Sequence, residues 1–484
     1  MRTLTLLLAA AATALTPALA EAQLRSLRQS DVAEAQKQHP LLVAEFGGAE
    51  TGARAAYVEG VGRRVAVHSG IANSQAAYRF TTLNSAVENA FAVPGGYVYI
   101  TRQLMGLMND ESELGFVLGH EVGHIAANHH QARKSAATRN SILGVLGAIL
   151  GSAVGGNAMG SLISQAAQLR TLSFSRDQEF QADVLGIRYV TAAGYDPGGG
   201  ASMLAALTRA TALSARTQGR TNRSTPEWAS THPLSENRAQ RALAAAQRTG
   251  RVGQGLRNRD ALLAHLEGLY VDDDPAQGII EGRSFTHPDL RMQFVVPVGY
   301  QMQNSTRAVT ISGSVGQAQF SGGRYSGNLE NYIGLVLREI AGNQPLNVPP
   351  PQRTMIGGLP AAYTTARANT RSGAIDISVM AYQWDANTAY HFVMLTRGGM
   401  GIGPFASMVD SLRRISPAEA AAIRPRIIDV VEVGASDTVQ SLANRMAYPS
   451  FKLERFVSLN GLAPNARLVR GQKVKLVVFG PRRS

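Results

Sequence analysis

The chain has 484 residues, 45% hydrophobic and 17% charged, which is too polar for a multi-span membrane protein and long enough for two to four domains. It contains no cysteine, so disulfides, thiolate ligands and a lipid-modified cysteine are excluded, and any metal site must draw on His, Asp and Glu. The formal charge is +13, and the stretch from Arg424 onward holds 11 Lys/Arg against 4 Asp/Glu. Such a basic surface attracts polyanions. For an exported chain, anionic lipid or cell-wall polymer is the expected partner, and nucleic acid is not.

Export is read from residues 1–22. Arg2 supplies a positive start, Leu4 to Leu15 an apolar run, and Ala18-Leu19-Ala20 a small-x-small cleavage pattern, which together make a secretory signal peptide. An exported chain without cysteine suits the periplasm.

From residue 23 to about 250, helical and turn signals alternate. A strand is expected at Tyr97–Thr101, after the turn Pro94-Gly95-Gly96. Asp110 as N-cap, with Glu113 three residues on, opens a helix. That helix carries "GHEVGHIAANHH", residues 119–130. Helical residues four apart lie on one face, so His120 and His124 can grip one zinc ion. Glu121, turned about 100° round the helix, points at water beside the metal, where a carboxylate serves as general base. This spacing is the H-E-x-x-H signature. Gly115, Gly119 and Gly123 form a smooth stripe suited to close packing. His129 and His130 read as polar residues at a helix end, favoured by the C-terminal dipole. His68, His265, His287 and His391 read as structural.

Residues 140–169 carry no charge and six glycines. They are a weak membrane span, and a helical hairpin over the site or on a membrane surface is expected. A second long helix follows, capped by Ser175 with Gln178 and stopped by Gly194 and Pro197. It places Glu179 and Asp183 four apart. Glu179 can supply a third ligand and Asp183 can accept a hydrogen bond from a ligand histidine. On spacing alone the pair reads equally as a solvated acidic face.

A helix and linker are expected over 251–279, then an α+β domain over 280–416. That domain should contain helices at 328–341 and 404–414 and a hairpin turning at Asp385-Ala386-Asn387. It shows no catalytic constellation. Residues 424–484 read as strand, two capped helices and strand. The fold class expected for the whole is α+β.

Four stretches occur in order: "NAFAVPGGYVYITRQLM", "LGHEVGHIAANH", "SRDQEFQADVLGIRYVTAAGYDP" and "STHPLSENR". Together they resemble the H-E-x-x-H gluzincin peptidases of the CAAX endopeptidase, HtpX and BepA type, over roughly residues 25–250. The resemblance implies a mostly helical zincin domain with a small edge sheet, and one zinc ion held by His120, His124 and Glu179. Glu121 would be the base and Asp183 a partner of a ligand histidine. His232 and Arg238 would face substrate or oxyanion, with His232 occupying the fourth zinc position at rest. Asn89 would hold substrate backbone, and the Tyr97–Thr101 strand would take an extended peptide along its edge. The lack of strong spans after the signal points to the soluble periplasmic branch.

Residues 424–484 resemble a LysM module through Gly434, Asp437-Thr438, "LNGL" and "RGQKVKLV". This implies binding to peptidoglycan glycans. The function expected is a zinc endopeptidase acting on misfolded or stalled envelope proteins. The alternatives are a latent chaperone or scaffold bound to peptidoglycan, and a peptidase cutting cell-wall peptides.

Overall fold

The computed structural model describes residues 24–130, 174–217, 232, 237–341, 346–370 and 373–482. The expected signal peptide and the 140–169 hairpin lie outside the described residues. The fold is mixed α and β, with helices dominating up to Arg248 and sheets after Ile279.

Helices α1 (Gln29–Glu45) and α2 (Ala53–Ala66) precede a three-stranded sheet of β1 (Arg79–Leu83), β2 (Ala90–Val93) and β3 (Tyr97–Thr101). The strand order is β1-β3-β2, with β1 parallel and β2 antiparallel to β3. Side chains alternate along β3. Tyr97 and Tyr99 join Leu42 of α1 and its C-cap Phe46, while Val98 and Ile100 face the main core. The Tyr97–Thr101 strand is therefore central, not an edge as expected. Both its ladders are filled, by β1 on one side and β2 on the other, and these two are the outer strands.

Next come α3 (Glu111–Ala126), α4 (Arg176–Ala192), α5 (Gly198–Thr217), α6 (Arg238–Arg248), α7 (Arg259–Leu266) and β4 (Tyr270–Val271). Asp110 caps α3 by accepting from the Glu113 N–H, and Ser175 with Gln178 forms a full capping box on α4. Every residue of α3 from Glu111 to Ile125 is buried, as befits a helix surrounded by other elements. The apolar members of α3, such as Val117, Leu118 and Val122, each contribute about 1.5–3 kcal/mol relative to exposure. The glycine stripe works as expected. A Cβ on Gly186 of α4 would sit 3.0 Å from the His120 backbone nitrogen, and one on Gly123 would sit 3.2 Å from Leu185 Cβ. Absent side chains thus let α3 and α4 touch backbone to backbone.

The middle region is built on a seven-stranded antiparallel sheet in the order β11-β12-β13-β14-β10-β9-β8. Its strands are β8 (Gln301–Asn304), β9 (Ala308–Gly313), β10 (Gly316–Arg324), β11 (Gln352–Ile356), β12 (Leu359–Thr370), β13 (Gly373–Gln383) and β14 (Thr388–Arg397). Helix α8 (Leu329–Ala341) covers one face through Ile333 and Leu337. The other face meets a four-stranded sheet of β5 (Ile279–Glu281), β6 (Ser284–His287), β7 (Met292–Val295) and β15 (Arg413–Arg414) through Phe285, Met292 and Phe294. The hairpin β13–β14 turns at Asp385–Asn387 as expected. The helix expected over 404–414 is only Ala406–Asp410, because the chain then extends to pair β15 with β7.

At the C-terminus β16 (Arg426–Glu432), α9 (Val439–Asn444), α10 (Lys452–Asn460) and β17 (Lys473–Phe479) follow in the expected order. This unit does not stand apart. β4 joins β16 as a third strand, and Leu442, Phe456, Val474 and Leu476 share one core with Met105, Met108 and Leu266. Nor is its charge all surface. Lys475 is fully buried, and Arg426 packs over the Tyr448 ring. Among the described residues, no helix is long and apolar enough to cross a membrane.

Candidate metal centre

The α3 spacing and the α3–α4 contact bring His120, His124 and Glu179 to one point, and His232, from outside both helices, joins them. His120, His124, Glu179 and His232 are all buried, and their ligand atoms lie within 4.8 Å of one another. His120 Nε2 is 3.0 Å from His124 Nε2 and 3.3 Å from His232 Nδ1. The Glu179 carboxylate lies 3.0 Å from His232 Nδ1 and 3.5 Å from each of the other two Nε2 atoms. Tetrahedral zinc with bonds of 2.0–2.1 Å sets ligand atoms about 3.3 Å apart. Three imidazole nitrogens and a carboxylate at these separations fit that ion, and no thiolate is needed.

The surrounding groups fix the donors. His120 Nδ1 lies 2.9 Å from Asp183 Oδ1, leaving Nε2 to face the cluster. Arg238 of α6 grips Asp183 with two bonds, Nε to Oδ2 at 2.7 Å and Nη2 to Oδ1 at 2.8 Å, and reaches Glu179 Oε2 at 2.9 Å. It also donates to the His232 carbonyl at 3.4 Å. Arg238 was expected to face substrate or oxyanion. It is 1% exposed and committed to two carboxylates, because two buried anions side by side require a counter-charge.

Electrostatics follow. Burial alone would raise Glu179, but His232, its hydrogen bond and Arg238 together hold the carboxyl below its usual value. The same contest leaves Asp183 well below the usual carboxylate range, with Arg238 outweighing burial. Glu121 differs. Burial pushes it up to about 7, against the pull of His120. It sits off the ligand face, with Oε1 3.5 Å from His232 Nε2.

Asn89 lies just before β2, buried, with its backbone tied to Thr101. Its N–H donates to Thr101 Oγ1 at 3.1 Å, and the Thr101 N–H donates to its carbonyl at 2.9 Å. It is outside the donor cluster. Two neighbours were not foreseen. Phe174 lies flat on His124, with ring centroids 3.8 Å apart. His129 Nδ1 is 2.9 Å from His124 Nδ1, so it is a partner of a cluster residue and not simply a helix-end polar group. A signal existed in Asn128, a residue type that ends helices in the left-handed conformation and does so here with φ 59°. A cavity of about 940 Å³ lies elsewhere, between α1 and β8–β10, and includes none of the four cluster residues.

The model of peptidase family M48 matches residues 52–246, the segment that holds all of these groups. The beta-barrel assembly-enhancing protease of Escherichia coli O157:H7 is 32% identical over 189 residues, covering 38% of this chain and 37% of that protein. The mitochondrial metalloendopeptidase OMA1 of Arabidopsis thaliana is 33% identical over 116 residues, covering 24% and 22%. Metalloprotease LoiP of Escherichia coli K12 is 30% identical over 146 residues, covering 26% and 58%. The chain thus spans 37% of the length of the first of these relatives. Residues 52–246 are thus similar to peptidase family M48, and the four-residue cluster they hold could bind a metal ion.

Proposed function

We propose that this protein is a zinc-dependent endopeptidase of the bacterial periplasm that cuts misfolded or stalled envelope proteins at extended segments. The observation that carries the reading is the convergence of His120 Nε2, His124 Nε2 and Glu179 beside Glu121, a buried carboxylate off the ligand face. The compartment and substrate class are supported by the export-type N-terminal sequence and by relatives named beta-barrel assembly-enhancing protease.

In this reading His120, His124 and Glu179 hold the ion, which when bound supplies Lewis acidity for the scissile carbonyl and lowers the pKa of water. Glu121 takes the proton as water adds to the carbonyl carbon and delivers it to the leaving amine. Asp183 and Arg238 keep His120 in the tautomer that presents Nε2. The outer strand β2, not β3, receives the substrate backbone by strand addition.

A second reading, a latent form, is favoured by His232. Its Nδ1 fills the fourth corner of the cluster, the position that a substrate carbonyl or water requires. In that form the imidazole must leave before the site works. A LysM-like hold on peptidoglycan through residues 424–484 and a membrane contact through 140–169 complete the proposal.

Casein cleavage by the zinc-loaded protein tests it. Wild type should cut, while Glu121→Gln and wild type with o-phenanthroline should not. If both proteins hold zinc and neither cuts, the protein is a latent enzyme or a chaperone, and if His232→Ala does not cut either, the endopeptidase reading fails. If His232→Ala then cuts, the latent form is the resting one.

A further inference from the structure

His120 and His124, the two cluster histidines on α3, are held from behind by different chemistry. His120 is backed by a carboxylate. His124 is backed by an imidazole that is itself backed by an amide: His124 Nδ1 to His129 Nδ1 is 2.9 Å, and His129 Nε2 to Gln181 Oε1 is 3.1 Å.

The proton positions in this chain follow from its far end. An amide oxygen only accepts, so His129 carries its hydrogen on Nε2 and donates it to Gln181. A neutral His129 then has a bare Nδ1 and must accept. The His124 ring therefore carries its hydrogen on Nδ1, and its Nε2 faces the cluster as a lone pair. That is the tautomer a zinc ligand requires. Reversed polarity would put the His124 hydrogen on Nε2 and close the site to a cation.

Local structure delivers His129 to this position. The α3 helix ends at Ala126, Ala127 caps it, and Asn128 turns left-handed with φ 59°. Asparagine tolerates that region better than most residues. The turn brings His129 back beside His124. Gln181 lies two residues from both Glu179 and Asp183, on the helix that supplies them. Gln178 of the same helix reaches the His129 carbonyl at 3.5 Å.

We infer that His129 and Gln181 form a neutral relay that fixes the tautomer and orientation of His124 for zinc. His129 is a positioning residue in this scheme and touches neither substrate nor metal. The inference rests on His124 being a zinc ligand, but not on what the enzyme cuts.

The test is zinc affinity by competition with a chromogenic chelator on the full-length protein, with thermal unfolding of the metal-free forms as the folding control. His129→Phe keeps a ring beside Phe174 and removes the acceptor. It should bind zinc about 10–100-fold more weakly. His129→Asn places an amide oxygen where Nδ1 stands and should restore affinity. Gln181 is solvent-exposed, so its variants should fold: Gln181→Leu should weaken zinc binding, and Gln181→Glu should match or exceed wild type. Wild-type affinity in His129→Phe overturns the inference. So does an equal loss in His129→Phe and His129→Asn, which would make the residue a packing element only. Because the readout is binding, inactivity on casein leaves the test intact.

Discussion

The Lys475 ammonium, fully buried, donates to the Met108 carbonyl at 2.6 Å and to the Gly106 carbonyl at 2.8 Å, joining the C-terminal strand β17 to the end of the short helix Arg102–Leu107 that precedes α3. Asn460 holds the Lys475 backbone from both sides, and Arg259 bridges the Asn109 and Lys473 carbonyls. The C-terminal unit therefore shares one core with the helical body that carries the histidine cluster. Lys475→Met should strand two buried carbonyls, at about 1–3 kcal/mol each. Urea unfolding should show that loss in a single transition that also releases zinc. A separate early transition of the C-terminal unit, with zinc retained, would contradict the joint core.

Arg238 is the counter-charge for Asp183 and Glu179. Removing it in Arg238→Met leaves two buried carboxylates uncompensated, which should destabilise the protein by about 3–5 kcal/mol. Zinc affinity should fall with it. A stable variant with normal zinc binding and a raised KM alone would return Arg238 to the substrate-facing role expected from sequence.

The contact between α3 and α4 depends on missing side chains. At Gly186 an added Cβ already reaches 3.0 Å from the His120 backbone, which cannot give way cheaply. Gly186→Val should overpack the seam by about 1–3 kcal/mol. It should also pull Glu179 away from the histidines, measurable as weaker zinc binding by the metal-free protein. Unchanged binding would mean the seam has slack.

His391 gives the middle region an acid limit. Burial lowers it to about 4 from 6.5, and it is held neutral between Ser321 Oγ at 3.1 Å and Tyr332 OH at 2.9 Å. The unfolded chain takes up a proton below pH 6.5 and the folded chain does not. Stability is therefore full above 6.5 and falls as pH drops toward 4, by about 3 kcal/mol in total. Trp384, packed edge-on against Tyr390 of this region, is the reporter. Urea midpoints from its fluorescence should fall between pH 7 and pH 5 in wild type, and fall less in His391→Gln.

What the sequence disclosed was local. The four-residue spacing of His120 and His124, the Asp110 and Ser175 caps and the glycine stripe all follow from helical period and cap chemistry, which act over a single turn. What it hid was set by distant chain. β3 reads as a free strand until β1 is known to return beside it. Arg238 has no visible target until α6 lies over α4. Lys475 reads as one more surface cation until β17 is seated against the end of the helix Arg102–Leu107. His129 needs both the left-handed turn at Asn128 and the approach of Gln181.

The most direct measurement is anomalous diffraction at the zinc edge on crystals of the full-length protein. One zinc should appear, bonded to His120 Nε2, His124 Nε2 and a Glu179 oxygen at about 2.0–2.2 Å, with His232 Nδ1 or a water in the fourth place. Zinc absent from these atoms, or bound at other residues, would contradict the site on which the proposed chemistry rests.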